Sequence, residues 1–234
     1  DYNAQIPRPS HADYPAYVKY GAIPAGGGVF SGRMTAPLCV AGGLCLQWLA
    51  ARGVQIGAHA LQVGSAPDRP FDPLAPELPD PAGKISVLKR SAEAEMLRAI
   101  EQARQDGDSV GGCIECAVTG LPAGVGEPLF GGLEGRLAVL LFAIPAVKGV
   151  HFGADCAAAR GSAYNDAYYY DETGAVRTRT NHAGGILGGL SSGMPLLFRV
   201  EIKPTPSIAR EQESVSLTTG DTVRLALRGR HDPC

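Results

Sequence analysis

Residues 133–152 read LEGRLAVLLFAIPAVKGVHF. The first part, residues 133–144, is almost wholly apolar in its middle (Leu137, Val139, Leu140, Leu141, Phe142), which predicts a buried helix. Pro145 closes it, because proline lacks the backbone donor and clashes inside a helix. Residues 147–152 follow as a short apolar run and predict a strand. A helix feeding a strand across a tight break sets the pattern for the rest of the chain.

Towards the N-terminus, residues 36–51 predict a helix with Gly53 as its stop, and Gly42-Gly43 inside it predicts close packing at that point. Residues 54–63 predict a strand. Residues 92–105 predict an amphipathic helix, with Met96, Leu97, Ile100 and Ala103 on one face, and residues 109–119 a strand. Towards the C-terminus, residues 196–202 predict a strand, and residues 215–227 two short ones around Gly220-Asp221. Residues 65–81 hold Pro67, Pro70, Pro73, Pro76, Pro79 and Pro81, so they form a loop, read first as a surface connection and second as a flap over a site. The connections are uneven and several strands look half-exposed. The expectation is a layered α+β fold, one domain over residues 1–234, in preference to a doubly wound parallel sheet.

Composition narrows the function classes. The 234 residues are 45% hydrophobic and 19% charged, with a formal net charge of −2, which argues against nucleic acid as a partner. No apolar run approaches a membrane span, so no membrane partner is expected. Cys39 and Cys45 fall in a predicted helix and Cys113 and Cys116 in a predicted strand, which suits buried reduced thiols and a cytoplasmic location. Cys113-Ile-Glu-Cys116 is no metal or redox pair, since residues three apart on a strand face opposite ways. The chain opens on Asp1 without a Met or a signal peptide and stops at Cys234, so both ends are read as cut.

Five segments set polar residues among glycines and prolines: residues 8–14 (Arg8, Ser10, His11, Asp13), 26–33 (Gly26 to Gly28, Ser31, Arg33), 181–193, 203–207 (Lys203 to Ser207) and 229–234. Gly26 to Arg33 precedes a helix, and its backbone N–H groups with Ser31 and Arg33 suit an anion. It lacks the ending of a P-loop and the spacing of a dinucleotide fingerprint. His11 lies near Arg8 and Asp13, a placement for proton exchange beside a cation. Lys203 stands on a backbone stiffened by Pro204 and Pro206. Asp232 beside Arg230 reads either as a surface pair or as a site carboxylate. The residues by themselves give an α+β protein whose loops suit a polyanionic ligand.

These segments, in their order and spacing, resemble chorismate synthase. Arg8-Pro-Ser-His-Ala-Asp13 is similar to the family's RPGHAD element, and Ser31-Gly-Arg33 to its flavin loop. Lys203-Pro-Thr-Pro-Ser207, Gly229-Arg-His-Asp-Pro233, residues 111–116, 120–128 and 147–153 resemble further family blocks. The resemblance implies a β-α-β sandwich, helices packed between antiparallel sheets, assembled as a homotetramer. It implies anti-1,4-elimination of phosphate from 5-enolpyruvylshikimate 3-phosphate to give chorismate, with reduced FMN (FMNH2) required. It assigns His11 and Asp232 to catalysis, His11 as the proton donor and Asp232 as the acid near the flavin. Arg8, Arg33 and Arg230 are assigned to the substrate, whose phosphate and carboxylates call for guanidinium groups. Flavin contacts map onto Val29, Phe30, Ser31, Pro145, Ala146, Gly188, Lys203, Pro204, Thr205, Pro206, Ser207 and Arg230. NADPH handled by the chain itself and an outside supply of reduced flavin both stay open. Val29-Phe30 stands where many members read Arg-Ser, and Pro145 where many have Asn. The family's Gly-x-Ser-His-Gly motif and its arginine-rich segment are not among these residues, so an incompetent fragment that keeps part of the flavin surface is the alternative expectation.

Overall fold

The computed structural model describes residues 3–79, 83–227 and 232–234. In chain order the helices are α1 (Asp13–Tyr20), α2 (Thr35–Ala50), α3 (Arg90–Gln105), α4 (Leu133–Phe142) and the single turn α5 (Gly161–Tyr164). The strands are β1 (Gln55–Val63), β2 (Ala66–Pro67), β3 (Gly112–Thr119), β4 (Val147–Phe152), β5 (Tyr168–Tyr170), β6 (Val176–Thr178), β7 (Ile186–Leu187), β8 (Leu190–Ser191), β9 (Leu196–Ile202), β10 (Gln212–Val215) and β11 (Thr222–Leu225).

One antiparallel sheet organises the chain, in the order β2-β1-β3-β9-β4. Its register sorts side chains by face, because successive residues of a strand point opposite ways. Ile114 pairs with Val200, Cys116 with Phe198 and Val118 with Leu196, while Val150 and Phe152 face Val200 and Phe198. This apolar face packs against Leu133, Leu137 and Leu141 of α4 and against Ile144. Further along, Ala60, Val63 and Ala66 meet Ala92 and Met96 of α3. Helices thus cover one face of the sheet.

The other face carries a polar row. His59, Glu115, Arg199 and His151 sit side by side across β1, β3, β9 and β4. The proline-rich stretch straps down over this face: Phe71 is buried with Ala117 and Leu197, and Leu78 and Leu88 pack beside them. The loop is therefore a surface connection, as first read, pinned to the sheet through buried Asp68 and Phe71.

Three expectations change. The helix at residues 133–144 was expected to be buried, but only its Leu133/Leu137/Leu141 stripe packs inward, and Val139 and Leu140 are 72% and 68% exposed. In α2 no residue is buried, Trp48 is 57% exposed under the Arg52 guanidinium, and Cys39 and Cys45 are exposed rather than buried thiols. Gly42 and Gly43 have open space around them, so close packing is not their reason. Helices that are apolar on more than one side are what a β-α-β sandwich requires, since each side needs a layer to pack on. No helix among the described residues is long and apolar enough to cross a membrane.

Candidate active site

Asp13 opens α1, where a carboxylate favours the helix dipole. Its side chain is turned inward and is 2% exposed. Oδ2 accepts from Arg8 N at 3.0 Å and Arg8 Nε at 2.7 Å; Oδ1 accepts from Arg8 Nη2 at 2.8 Å and lies 2.6 Å from His11 Nδ1. Arg8, itself buried, also donates through Nη1 to Ser207 Oγ at 3.2 Å, which ties the 8–13 turn to the 203–207 segment. Ser214 Oγ donates to the Pro7 carbonyl at the same junction.

Lys203 crosses this junction. Its Nζ donates to the Ser10 carbonyl, and its backbone N–H donates to the Ala146 carbonyl at 3.0 Å. Ser10 and Ala146 have φ of 58° and 71°, and among the described residues only Leu129 joins them as a non-glycine with positive φ. Backbone strain of this kind persists where the surroundings over-determine it, often at functional sites. Two of the three strained residues present their carbonyls to one lysine. Ser10→Gly is expected to stabilise the fold by about 0.5–1 kcal/mol, since relief of about 1–2 kcal/mol of left-handed strain exceeds the added chain freedom. Urea unfolding measures it; an unchanged or lowered midpoint would show that Ser10 is not strained.

The glycine loop closes the cluster on the His11 side. Gly26, Gly27 and Gly28 have φ of 61°, 83° and 50°, a run that L-residues rarely adopt. A Cβ on Gly27 would stand 3.8 Å from Cε1 and Nε2 of His11, so the imidazole edge faces bare backbone. Arg33 folds back on the loop, donating from Nη2 to the Gly26 carbonyl at 3.0 Å and from Nε to Ser31 Oγ at 3.2 Å. Arg33 and Val29 are exposed, and Phe30 and Ser31 are half-buried.

Burial and the neighbouring Arg8, with Lys203 adding to them, hold His11 below its ordinary value of 6.5 and outweigh the pull of Asp13. Burial raises the Asp13 carboxyl, but hydrogen bonds from Arg8 outweigh that and keep it below its usual range. Burial, then Lys148, lowers Lys203. The cluster therefore holds a neutral imidazole between an ionised carboxylate and two cations. The sign of the pH effect follows. Below about pH 6.5 the unfolded chain takes up the His11 proton before the folded chain does, so stability falls on acidification through that window and is flat above it. His11→Gln removes this contribution, so the loss in unfolding free energy between about pH 7.5 and about pH 5.5 is expected to be smaller than in the unsubstituted chain. Equal losses in the two proteins would show that His11 is not held neutral.

The remaining sequence-derived positions fall around this centre. Ser109 Oγ donates to the Thr205 carbonyl at 2.7 Å, and Val110 N donates to the Pro233 carbonyl at 2.8 Å. The C-terminal tail with exposed Asp232 is thereby placed beside the Lys203–Ser207 segment, with Pro204, Thr205 and Pro206 between. Pro145 and Ala146 adjoin Lys203 through the Ala146 carbonyl. Arg230 lies outside the described residues. Gly188 stands apart, in the β7–β8 turn at the other end of α4, where Leu133 N donates to the Gly189 carbonyl. Ten helical residues separate these ends, about 15 Å. His182 belongs elsewhere, its Nδ1 3.1 Å from Asp166 Oδ1. Asp13 was not assigned a role from the sequence; its signals were its place two residues after His11 and its position at the end of the Arg8–Asp13 motif.

A concavity of about 680 Å³ lies between residues 120–123 and 187–193. Its one cation, Arg177, is committed to Asp171 and to the Gly193 carbonyl. Titratable groups and strained backbone converge at the Arg8–His11–Asp13–Lys203 cluster instead, and this is the candidate site.

Comparison with known proteins agrees with the motif order. The family model for chorismate synthase matches residues 1–234. A chorismate synthase of Lancefieldella parvula is 42% identical over 254 residues, covering 99% of this chain and 66% of that protein. One from Dehalococcoides mccartyi is 43% identical, covering 97% and 63%, and one from Korarchaeum cryptofilum 40% identical, covering 99% and 65%. The chain thus spans just under two thirds of the length of these relatives. A crystal structure of chorismate synthase aligns with a TM-score of 0.68 at 25% identity, covering 76% of this chain and 57% of that one.

Proposed function

This chain belongs to the chorismate synthase family, and on that premise we propose that its His11 cluster serves the elimination of phosphate from 5-enolpyruvylshikimate 3-phosphate to give chorismate. One C–O bond to phosphate and one C–H bond break in a 1,4 relation, the ring gains a double bond, and no net oxidation occurs. The observation that carries the reading is the meeting of Arg8, His11, Asp13 and Lys203 at a glycine loop that sets no side chain against the imidazole edge.

The residues present fit an anionic flavin. The positive-φ run at Gly26 to Gly28 has no side chains to block a close approach, and Lys203 supplies a cation. Val29, Phe30, Ser31, Pro145, Ala146 and Lys203 to Ser207 would hold it, with Arg230 completing the set and Gly188, one helix length away, touching the far end of an elongated cofactor. Reduced FMN, when bound, supplies electron density that eases the departure of phosphate. Arg33 meets the substrate's anionic groups by contact. Arg8, buried against Asp13, contributes mainly through its charge. His11 holds and releases a proton at Nε2, and Asp232 accepts the proton that leaves the ring.

The proposed assembly is a homotetramer, which gives the apolar residues of α2 and α4 a surface to pack on; light scattering would read four chains rather than one. A cytoplasmic setting suits the six free thiols. The decisive test is anaerobic phosphate release from 5-enolpyruvylshikimate 3-phosphate with photoreduced FMN. Release supports the proposal. Silence with FMN still bound leaves a flavin surface without lyase activity, and silence without FMN binding removes the reading of the site. NADPH consumption by the chain with FMN tells an internal from an external source of reducing power.

A further inference from the structure

We infer that Asp13 is a positioning residue that fixes His11 as the Nδ1–H tautomer, so that the proton His11 exchanges is carried on Nε2, facing the glycine loop. The inference deepens the proposed role of His11 and rests on that reading for its functional meaning, but its geometry stands apart from it.

Asp13 offers two oxygens to four groups: Oδ2 to Arg8 N and Arg8 Nε, and Oδ1 to Arg8 Nη2 and His11 Nδ1. Arg8 Nη2 also lies 3.0 Å from His11 Nδ1. A guanidinium only donates, so if Nδ1 were bare it could accept from Arg8. It would then present its lone pair to a carboxylate oxygen 2.6 Å away, which is repulsive. With the proton on Nδ1, His11 and Arg8 both point at Oδ1, and the 2.6 Å contact becomes a short charge-assisted hydrogen bond. The carboxylate is ionised, because Arg8 holds its pKa down. It is also buried, so water does not compete for it. A neutral imidazole with its proton on Nδ1 has its lone pair on Nε2, and the Cε1–Nε2 edge faces the buried Gly27 backbone, which sets no side chain against it.

The bland competitor is that Asp13 is only the counter-ion of Arg8. Asp13→Asn separates the two. An amide has one oxygen and one NH2. With its oxygen toward Arg8 N and Nε, the NH2 faces His11 Nδ1, which must give up its proton, and the imidazole becomes the Nε2–H tautomer. The opposite flip sets the NH2 against two Arg8 donors, so the first is preferred. An Asp-to-Asn change at a comparable Asp–His pair in serine proteases costs about 10⁴-fold in kcat through the wrong tautomer.

The experiment is ¹H–¹⁵N correlation NMR of His11 in the chain without flavin or substrate, for the unsubstituted protein and Asp13→Asn. The expected result is a proton on Nδ1 in the first and on Nε2 in the second. In the loaded enzyme, kcat is expected to fall by about 10²-fold or more with KM within about three-fold, and the His11 limb of the pH profile to move. Asp13→Glu, which keeps both acceptors, is expected to restore the Nδ1–H tautomer. An Nε2–H tautomer in the unsubstituted chain overturns the inference whether or not the variant folds. So does an Nδ1–H tautomer that survives in Asp13→Asn with the pH profile unmoved. If the unsubstituted chain eliminates no phosphate while the tautomer still shifts, the lyase reading falls and the positioning by Asp13 stands.

Discussion

In Asp232→Ala, kcat for phosphate release falls by about 10²–10⁴-fold, the contribution of a positioned proton-transfer group. FMN affinity stays within about two-fold, because a group that acts only in the transition state leaves ground-state binding alone. Asp232 is suited to that role by where the chain puts it. The Pro233 carbonyl is pinned to Val110 N at 2.8 Å, and the neighbouring Ser109 is bonded to Thr205, so the carboxylate rides on an anchored tail beside the Lys203 segment. It is exposed, and among the described residues no cationic side chain lies within 4.0 Å of it. Steady-state phosphate release and a flavin titration on the same preparation decide the matter. A loss confined to FMN affinity would make Asp232 a binding residue and leave the proton without its acceptor.

What the sequence made legible was local. Residues 147–152 and 196–202 were read with the bounds they have, because short apolar runs between turns have few other solutions. The amphipathic period of residues 92–105 found α3 to within a turn. The order of the strands was not legible. β9 follows β4 by some forty residues, yet it inserts between β3 and β4, and nothing in a linear pattern announces a pairing of that separation. The burial of α2 and α4 was misjudged for the same reason: apolar composition says that a helix prefers cover, and only the fold says which side has it.

The candidate site divides in the same way. Motif order brought out Arg8, His11, Arg33 and Lys203, but not how they meet. The Lys203 contact to the Ser10 carbonyl spans most of the chain, and the Arg8 contact to Ser207 does too. Asp13 was hidden because its importance lies in the count of donors it serves, and that count exists only once the 8–13 turn has closed. Ser10 stood in the sequence only as one polar residue of the 8–14 segment, and its φ is what marks it as strained.

The largest effect on stability is expected on the opposite face of the sheet, in His59→Ala, at about 3–5 kcal/mol, the cost of removing one partner from a buried charged group. His59 is 1% exposed. Its Nε2 lies 3.2 Å from Glu115 Oε2, and its Nδ1 lies 3.2 Å from Asp68 Oδ2 but out of line for a hydrogen bond. Both carboxylates also hold the proline-rich strap. Glu115 Oε2 accepts from Phe71 N at 2.7 Å, Asp68 Oδ1 accepts from Lys89 N at 3.0 Å, and the Phe71 ring meets the His59 ring edge-on at 4.7 Å. Alanine would leave two buried carboxylates facing each other across a void, with Arg199, 3.9 Å from Glu115, the nearest compensating charge. The strap should then loosen before the sheet does, so cleavage within residues 68–79 by a nonspecific protease is expected to speed up along with the fall in urea midpoint. A loss below about 1 kcal/mol would place the strap's hold in the apolar packing of Phe71 and Leu78 and make the polar row incidental.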